Sequence, residues 1–212
     1  HEQWGKEMKA RVVVGISGAS GAAIGRRVVD LLIRLDACVD LVISPSAERT
    51  ITEELGPQAL TAINDLPARR HGAFDVGADI ASGSTPTSGM IVAPCSMRTL
   101  SAIAHSLSDN LLVRAADVHL KERRPLILIA RETPLHLGHL RAMTAVTEMG
   151  AIVMPPVPAF YLQPQGIEDV VDQVARRAVD LIGIAPPTAI GWKGGGNVLG
   201  GKSDETGDPI DR

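Results

Sequence analysis

Gly15-Ile16-Ser17-Gly18-Ala19-Ser20-Gly21 sets three glycines three residues apart, directly after an apolar run and directly before a segment of helical spacing. Glycine lets the backbone turn tightly and approach a ligand, and a helix start offers unpaired N–H groups with a partial positive charge. Gly18, Ala19 and Ser20 are therefore candidate contacts for a phosphate or a flavin, although an ordinary strand-to-helix turn has the same composition. The spacing G-x-x-G-x-x-G departs from the dinucleotide fingerprint G-x-G-x-x-G, and the second apolar run ends in Ser44 where a ribose-binding acid would stand. Both departures argue against NAD and favour a mononucleotide, with Ser44 able to hydrogen-bond a ribityl chain or a phosphate.

Further along, Pro94-Cys95-Ser96-Met97-Arg98-Thr99 places hydroxyls and backbone N–H groups at another helix start. That is either a second anion cradle or a plain N-cap by Ser96. Cys95 reads as a small buried cysteine, since nothing nearby would stabilise a thiolate. Arg131-Glu132 follows the fourth long apolar run; an arginine can clamp a phosphate, and an adjacent carboxylic acid can give a proton to a departing phosphate oxygen. His136 and His139 lack a third ligand and read as structural or solvated. In RAADVHLKERR, Arg114, Asp117 and Lys121 can share a helix face, so a surface salt-bridge ladder is the plain reading, and it extends to Arg123 and Arg124. Pro155-Pro156-Val157-Pro158-Ala159-Phe160-Tyr161 is a rigid turn able to hold Tyr161 in a set orientation, with Phe160 the better candidate for a core plug.

The elements that position these residues follow from periodicity. Short runs of aliphatic residues at 12–16, 39–43, 90–93, 126–130 and 151–154 are bounded by Gly, Pro or Ser and read as buried strands; helical spacing recurs at 22–35, 99–105, 110–121, 137–149 and 167–182. Strands apolar on both faces and alternating with helices call for a parallel sheet covered on both sides. The expected fold is α/β: a doubly wound, mostly parallel, flavodoxin-like or Rossmann-like single domain over residues 11–184, with ligands bound beyond the carboxyl ends of the strands. Residues 1–10 (HEQWGKEMKA) are set aside as a leader that includes non-native residues, Met8 being a candidate native start, and residues 185–212 read as a Gly-rich mobile tail.

The chain has 212 residues, 45% hydrophobic and 2% aromatic, with a formal charge of −3. One domain with an aliphatic core fits that size. The charge offers no basic footprint for nucleic acid, and no apolar run is long enough to span a bilayer. Cys38 and Cys95 fall in apolar segments far apart and resemble neither a disulfide framework nor a zinc site, so a reducing cytoplasm is the expected setting.

Taken in order, GISGASGA, ASGS, APCSMRTL, RAADVHLKERRPL, RETPLHLGHLRAMT, MGAIVMPPVPAFY and IEDVVDQVARRAVDLIGI resemble the UbiX-type flavin prenyltransferase family. The resemblance implies FMN contacts from Gly18, Ala19, Ser20, Ser44, Ser96, Met97, Arg98, Thr99 and Arg131. It implies a second site, for the phosphate of dimethylallyl monophosphate, made by Lys121, Arg131, Glu132, Tyr161 and Arg177. Transfer of the dimethylallyl C1 to N5 of reduced FMN, a second bond to C6 and independence of metal are implied with it. Ser20 and Glu54 match positions that manage protons near the flavin, and Lys121, Glu132 and Tyr161 join them as catalytic candidates. Trp192 matches a tail tryptophan placed over the prenyl site, where its π-face can shield a cationic allyl fragment. Family members are homo-oligomers, here expected as a dodecamer with sites shared between subunits, and their product serves a UbiD-type decarboxylase. Two features depart from the pattern: Ile24 stands where many relatives carry tyrosine, and a Gly-rich extension follows Trp192. The alternatives are an FMN-dependent cysteine-type decarboxylase, whose PxMNxxMW-like segment is replaced here by PPVPAFY, and a non-catalytic flavin carrier or companion subunit, which needs no second phosphate site.

Overall fold

A computed structural model describes residues 9–191. Six parallel strands form one sheet: β1 (Arg11–Ile16), β2 (Cys38–Ile43), β3 (Arg69–His71), β4 (Gly89–Cys95), β5 (Leu126–Ala130) and β6 (Ile152–Val153). Their spatial order is β3-β2-β1-β4-β5-β6, so the winding reverses between β1 and β4 and opens a crevice at their carboxyl ends. Seven α-helices lie among the described residues: α1 (Ala22–Arg34), α2 (Pro45–Leu55), α3 (Ala59–Asn64), α4 (Met97–Ala104), α5 (Leu111–Lys121), α6 (Leu137–Glu148) and α7 (Ile167–Asp180).

Alternation of side chains along each strand divides the core in two. Val12, Val14 and Ile16 of β1 pack with Val28 and Leu32 of α1 and Ala175 and Val179 of α7. Val13 faces the other way, with Met90 and Val92 of β4, Leu100 of α4 and Leu112 and Ala116 of α5. The doubly wound α/β expectation holds. Arg27 of α1 reaches Asp172 of α7 at 2.7 Å, tying these neighbours at their edge. Gly25 lets α1 press on the sheet, because a Cβ there would collide with the Ala93 carbonyl. Ile24 is buried in this packing.

Three expectations are corrected. Cys38 is exposed, because it opens β2 at the amino edge of the sheet, beyond the helices that cover the strand's middle. Phe160 is 77% exposed and plugs no core; its single 3-10 turn, Phe160–Leu162, lies outside the layer that α7 makes against α1. The charged ladder forms only in part: Arg114 pairs with Asp117 at 3.0 Å, but Lys121 pairs with Glu122, and Arg124 meets no carboxylate among the described residues.

Candidate active site

Ser17 stitches the floor of the crevice. Its hydroxyl donates to the Pro94 carbonyl at 2.9 Å and accepts the backbone N–H of Ser96 at 2.7 Å. The Ser44 N–H donates to the Ile16 carbonyl at 3.0 Å, so the ends of β1, β2 and β4 are joined by hydrogen bonds made beyond the regular ladder. Sequence reasoning passed over Ser17. The signal was its place: a lone hydroxyl between the last strand residue, Ile16, and the turn glycine, Gly18.

Above this floor lies a cleft of about 430 Å³, within the range of small-molecule and cofactor sites. Gly18, Ser44, Ser46, Phe74, Ser96, Arg98, Thr99 and Asn110 are among its walls. Two helices start here on serine caps. The Ser44 hydroxyl accepts from the Ala47 N–H and that of Ser96 from the Thr99 N–H, each at 3.2 Å. Each helix start directs its dipole and open N–H groups into the cleft, as an anion requires. Gly18 keeps the floor open, since a Cβ there would run into Ser46. Arg98 reaches over the rim to Asp109 at 2.5 Å.

The start of α1 is engaged differently. The N–H groups of Gly21 and Ala22 each donate to the Glu54 carboxylate at 2.9 Å. Partial burial would raise the Glu54 pKa, but the Ser20 hydroxyl, these two N–H groups and the charge of Arg131 together hold it below the ordinary carboxylate value. An internal carboxylate thus occupies the helix start that the glycine spacing offered to a phosphate. The hydroxyls and amides left open to an anion are those of α2 and α4.

Most of the expected FMN-contacting residues converge on this edge: Gly18, Ala19 and Ser20 after β1, Ser44 after β2, Ser96 to Thr99 after β4 and Arg131 after β5. Met97 points its side chain into the core and is not among the cleft's walls. Arg131 is fixed through its N–H, which donates to the Cys95 carbonyl at 3.1 Å. Glu132 follows it, exposed, accepting from the Thr133 N–H at 3.1 Å. Tyr161, on the 3-10 turn after β6, is partly exposed.

Lys121 and Arg177 are elsewhere. Lys121 ends α5 just before β5, so the whole strand, about 15 Å at 3.3 Å per residue, separates it from Arg131 and Glu132. Arg177 lies in the last turn of α7, which ends where Ile182 packs on Gly89 at the amino end of β4. Its guanidinium is exposed and meets no hydrogen-bond or ion-pair partner among the described residues. Trp192 and the Gly-rich extension after it lie outside the described residues.

Three other groups settle into structural roles. Burial drives the Cys95 thiol pKa far up, away from nucleophilic use. His136 caps α6 and stacks on His139 with ring centroids 3.6 Å apart. Asp40, His71 and Asp79 cluster at metal-ligand distances, but Arg11 already pairs with both carboxylates and Arg69 with Asp79.

A parallel α/β sheet with a serine-capped cleft at its switch point defines a flavoprotein of the doubly wound class, and the Flavoprotein family model matches residues 2–179. Flavin prenyltransferase UbiX of Thauera aromatica is 53% identical over 170 residues, 80% of this chain and 87% of its own length. That of Escherichia coli (strain K12) is 50% identical over 187 residues, 87% of this chain and 98% of its own. The chain belongs to the UbiX flavin prenyltransferase family. Among solved structures, AnUbiX (PadA1) in complex with FMN and dimethylallyl pyrophosphate is 45% identical with a TM-score of 0.79, covering 88% of this chain and all of that one. A dodecameric FMN-dependent UbiX-like decarboxylase from Escherichia coli O157:H7 is 41% identical with a TM-score of 0.80, over 87% of this chain and all of that one.

Proposed function

We propose that this chain transfers the dimethylallyl group of dimethylallyl monophosphate to reduced FMN, making the prenylated FMN used by a UbiD-type decarboxylase. One observation carries the reading: the capped starts of α2 and α4 form one anion-binding set around the cleft, while Arg131 and Glu132 stand at the same sheet edge outside its walls, available with Lys121, Tyr161 and Arg177 of neighbouring subunits as a second. A flavin carrier or a flavin-dependent decarboxylase needs only the first. The cleft suits the flavin's ribityl phosphate, because it offers hydroxyls and helix-start amides and because Gly18 leaves it unobstructed.

Reduced FMN supplies nucleophilic carbon and nitrogen centres, N5 for the first bond and C6 for the second. The chain's own task is to stabilise charge as the C1–O bond breaks. Lys121, Arg131 and Arg177 neutralise the departing phosphate, Glu132 gives it a proton, and such preorganised charge is commonly the largest catalytic contribution. Ser20 and Glu54, hydrogen-bonded together beside Arg131, form a proton relay at the flavin edge.

Lys121 and Arg177 stand at the amino end of the sheet and Glu132 at the carboxyl end, so a single phosphate reaches all of them only across subunits. That separation supports a homo-oligomer with shared sites, and a dodecamer agrees with the dodecameric UbiX-like decarboxylase of similar fold. Leu135, Leu137, Leu140, Val157 and Phe160 support it, being large exposed apolar side chains near the carboxyl edge. No helix among the described residues is long and apolar enough to cross a membrane, and action in the cytoplasm as one domain over residues 11–184 is part of the same proposal.

Orthophosphate release tests the reaction. Release that requires both reduced FMN and dimethylallyl monophosphate, in proportion to flavin consumed, is the expected result; none above background contradicts it.

A further inference from the structure

Arg124 ends the charged run after α5, yet its guanidinium is bound entirely to oxygens of one loop. Nη1 donates to the Thr85 carbonyl at 2.7 Å and to the Thr87 hydroxyl at 3.2 Å, and Nη2 donates to the Gly83 carbonyl at 2.6 Å. The planar fork therefore spans residues 83–87, whose sequence GSTPT has no large apolar side chain to anchor it and forms no helix or strand. Two residues of α5 reinforce the clamp. Arg114 donates through Nε to the Ala81 carbonyl at 3.1 Å, and Nε2 of buried His119 lies 2.9 Å from the Thr87 hydroxyl.

The loop so fixed abuts Lys121. Gly83 leaves no spare room: a Cβ added there would collide with both the Lys121 ammonium and the Glu122 carboxylate, which are paired with each other. A free lysine side chain spreads over many rotamers, and ordering it costs entropy. Here Glu122 holds the ammonium from one side and the Gly83 backbone bounds it on another.

We infer that Arg124 is a positioning residue for Lys121: by fixing residues 83–87 it builds the wall that aims the ammonium at the donor phosphate. This rests on the proposed role of Lys121 in binding that phosphate. It assigns Arg124, which touches neither flavin cleft nor donor site, a function that the plain surface-ladder reading denied it. Lysine cannot replace it, because one ammonium does not present a planar fork to three acceptors.

The test is a double-mutant cycle on the full chain with dimethylallyl monophosphate and reduced FMN. Arg124→Lys should raise KM for the donor by about fivefold to tenfold while kcat changes by less than about threefold, the pattern of lost binding that is shared by ground and transition states. FMN affinity should match the parent. In a Lys121→Ala background the same substitution should add nothing further, because the two act through one contact. An unchanged donor KM, or effects that multiply in the double variant, would overturn the proposal. If Arg124→Lys does not fold, Gly83→Ala, which displaces the Lys121 ammonium directly, enters the cycle with the same expected and overturning outcomes. A parent protein that transfers no prenyl group would overturn the proposed function, and this inference with it; a parent that does, with variants equal to it, overturns the inference alone.

Discussion

The Glu54 carboxylate accepts the backbone N–H of Ala22 at 2.9 Å, closing the start of α1 with a charge delivered from the end of α2. Removing it by Glu54→Ala leaves two helix-start donors to water and should cost about 0.5 to 1 kcal/mol at neutral pH. Because the folded-state pKa is depressed, this stabilisation is present above the ordinary carboxylate value and is lost as pH falls through the lower folded value. Urea denaturation from pH 7 to pH 3 should accordingly find parent and Glu54→Ala converging in stability at the acid end.

Ser17 joins the ends of β1 and β4 beneath the crevice. Ser17→Ala leaves the Ser96 N–H without its hydroxyl partner, and an unmade hydrogen bond at a buried position costs about 1 to 3 kcal/mol. Chemical denaturation should detect that loss. FMN titration should detect weaker binding, since Ser96 and the start of α4 are no longer held against β1.

Gly18→Ala tests the cleft floor. The added methyl runs into the Ser46 Cβ, so the start of α2 must shift to admit it even though the Gly18 backbone does not lie in the left-handed region. We expect FMN affinity to fall by about tenfold or more, equivalent to 1.4 kcal/mol per decade, with a lowered melting temperature beside it. Unchanged affinity would place the flavin elsewhere.

His119 carries a pH signature of its own. It is buried, its Nδ1 lies 2.7 Å from the Ala115 carbonyl, and its Nε2 faces the Thr87 hydroxyl that also receives Arg124. Burial above all, with the nearby Arg124 charge, lowers its pKa despite the Ala115 carbonyl. The unfolded chain therefore takes up a proton first, and stability should fall as pH drops through the ordinary histidine value near 6.5 towards the lower folded one. A His119→Gln variant should lose this slope in equilibrium denaturation at stepped pH.

The sheet and its switch point were legible because β1, β2, β4 and β5 are short, mainly aliphatic runs whose middles are buried on both faces. Strand β3 was not: Arg69-Arg70-His71 is an edge segment of three polar residues with no hydrophobic period to betray it. Helix α2 was hidden likewise, since Pro45 opens it, only Ala47 and Ile51 are buried, and its exposed residues carry charge. The hydroxyls of Ser44 and Ser96 could be read as helix caps and anion contacts from their places alone. Glu54 could not, because it comes to the glycine turn from 33 residues away, through a helix that periodicity did not reveal. Phe160 misled for a different reason. Its place in a rigid proline-rich turn suggested a core plug, whereas the aliphatic core closes without it.

The most direct measurement is the mass of the flavin recovered after the protein is incubated anaerobically with reduced FMN and dimethylallyl monophosphate. The account predicts a flavin heavier by one C5H8 unit, formed only with both substrates and only with folded protein. Recovery of FMN at its original mass from folded, FMN-binding protein would contradict it.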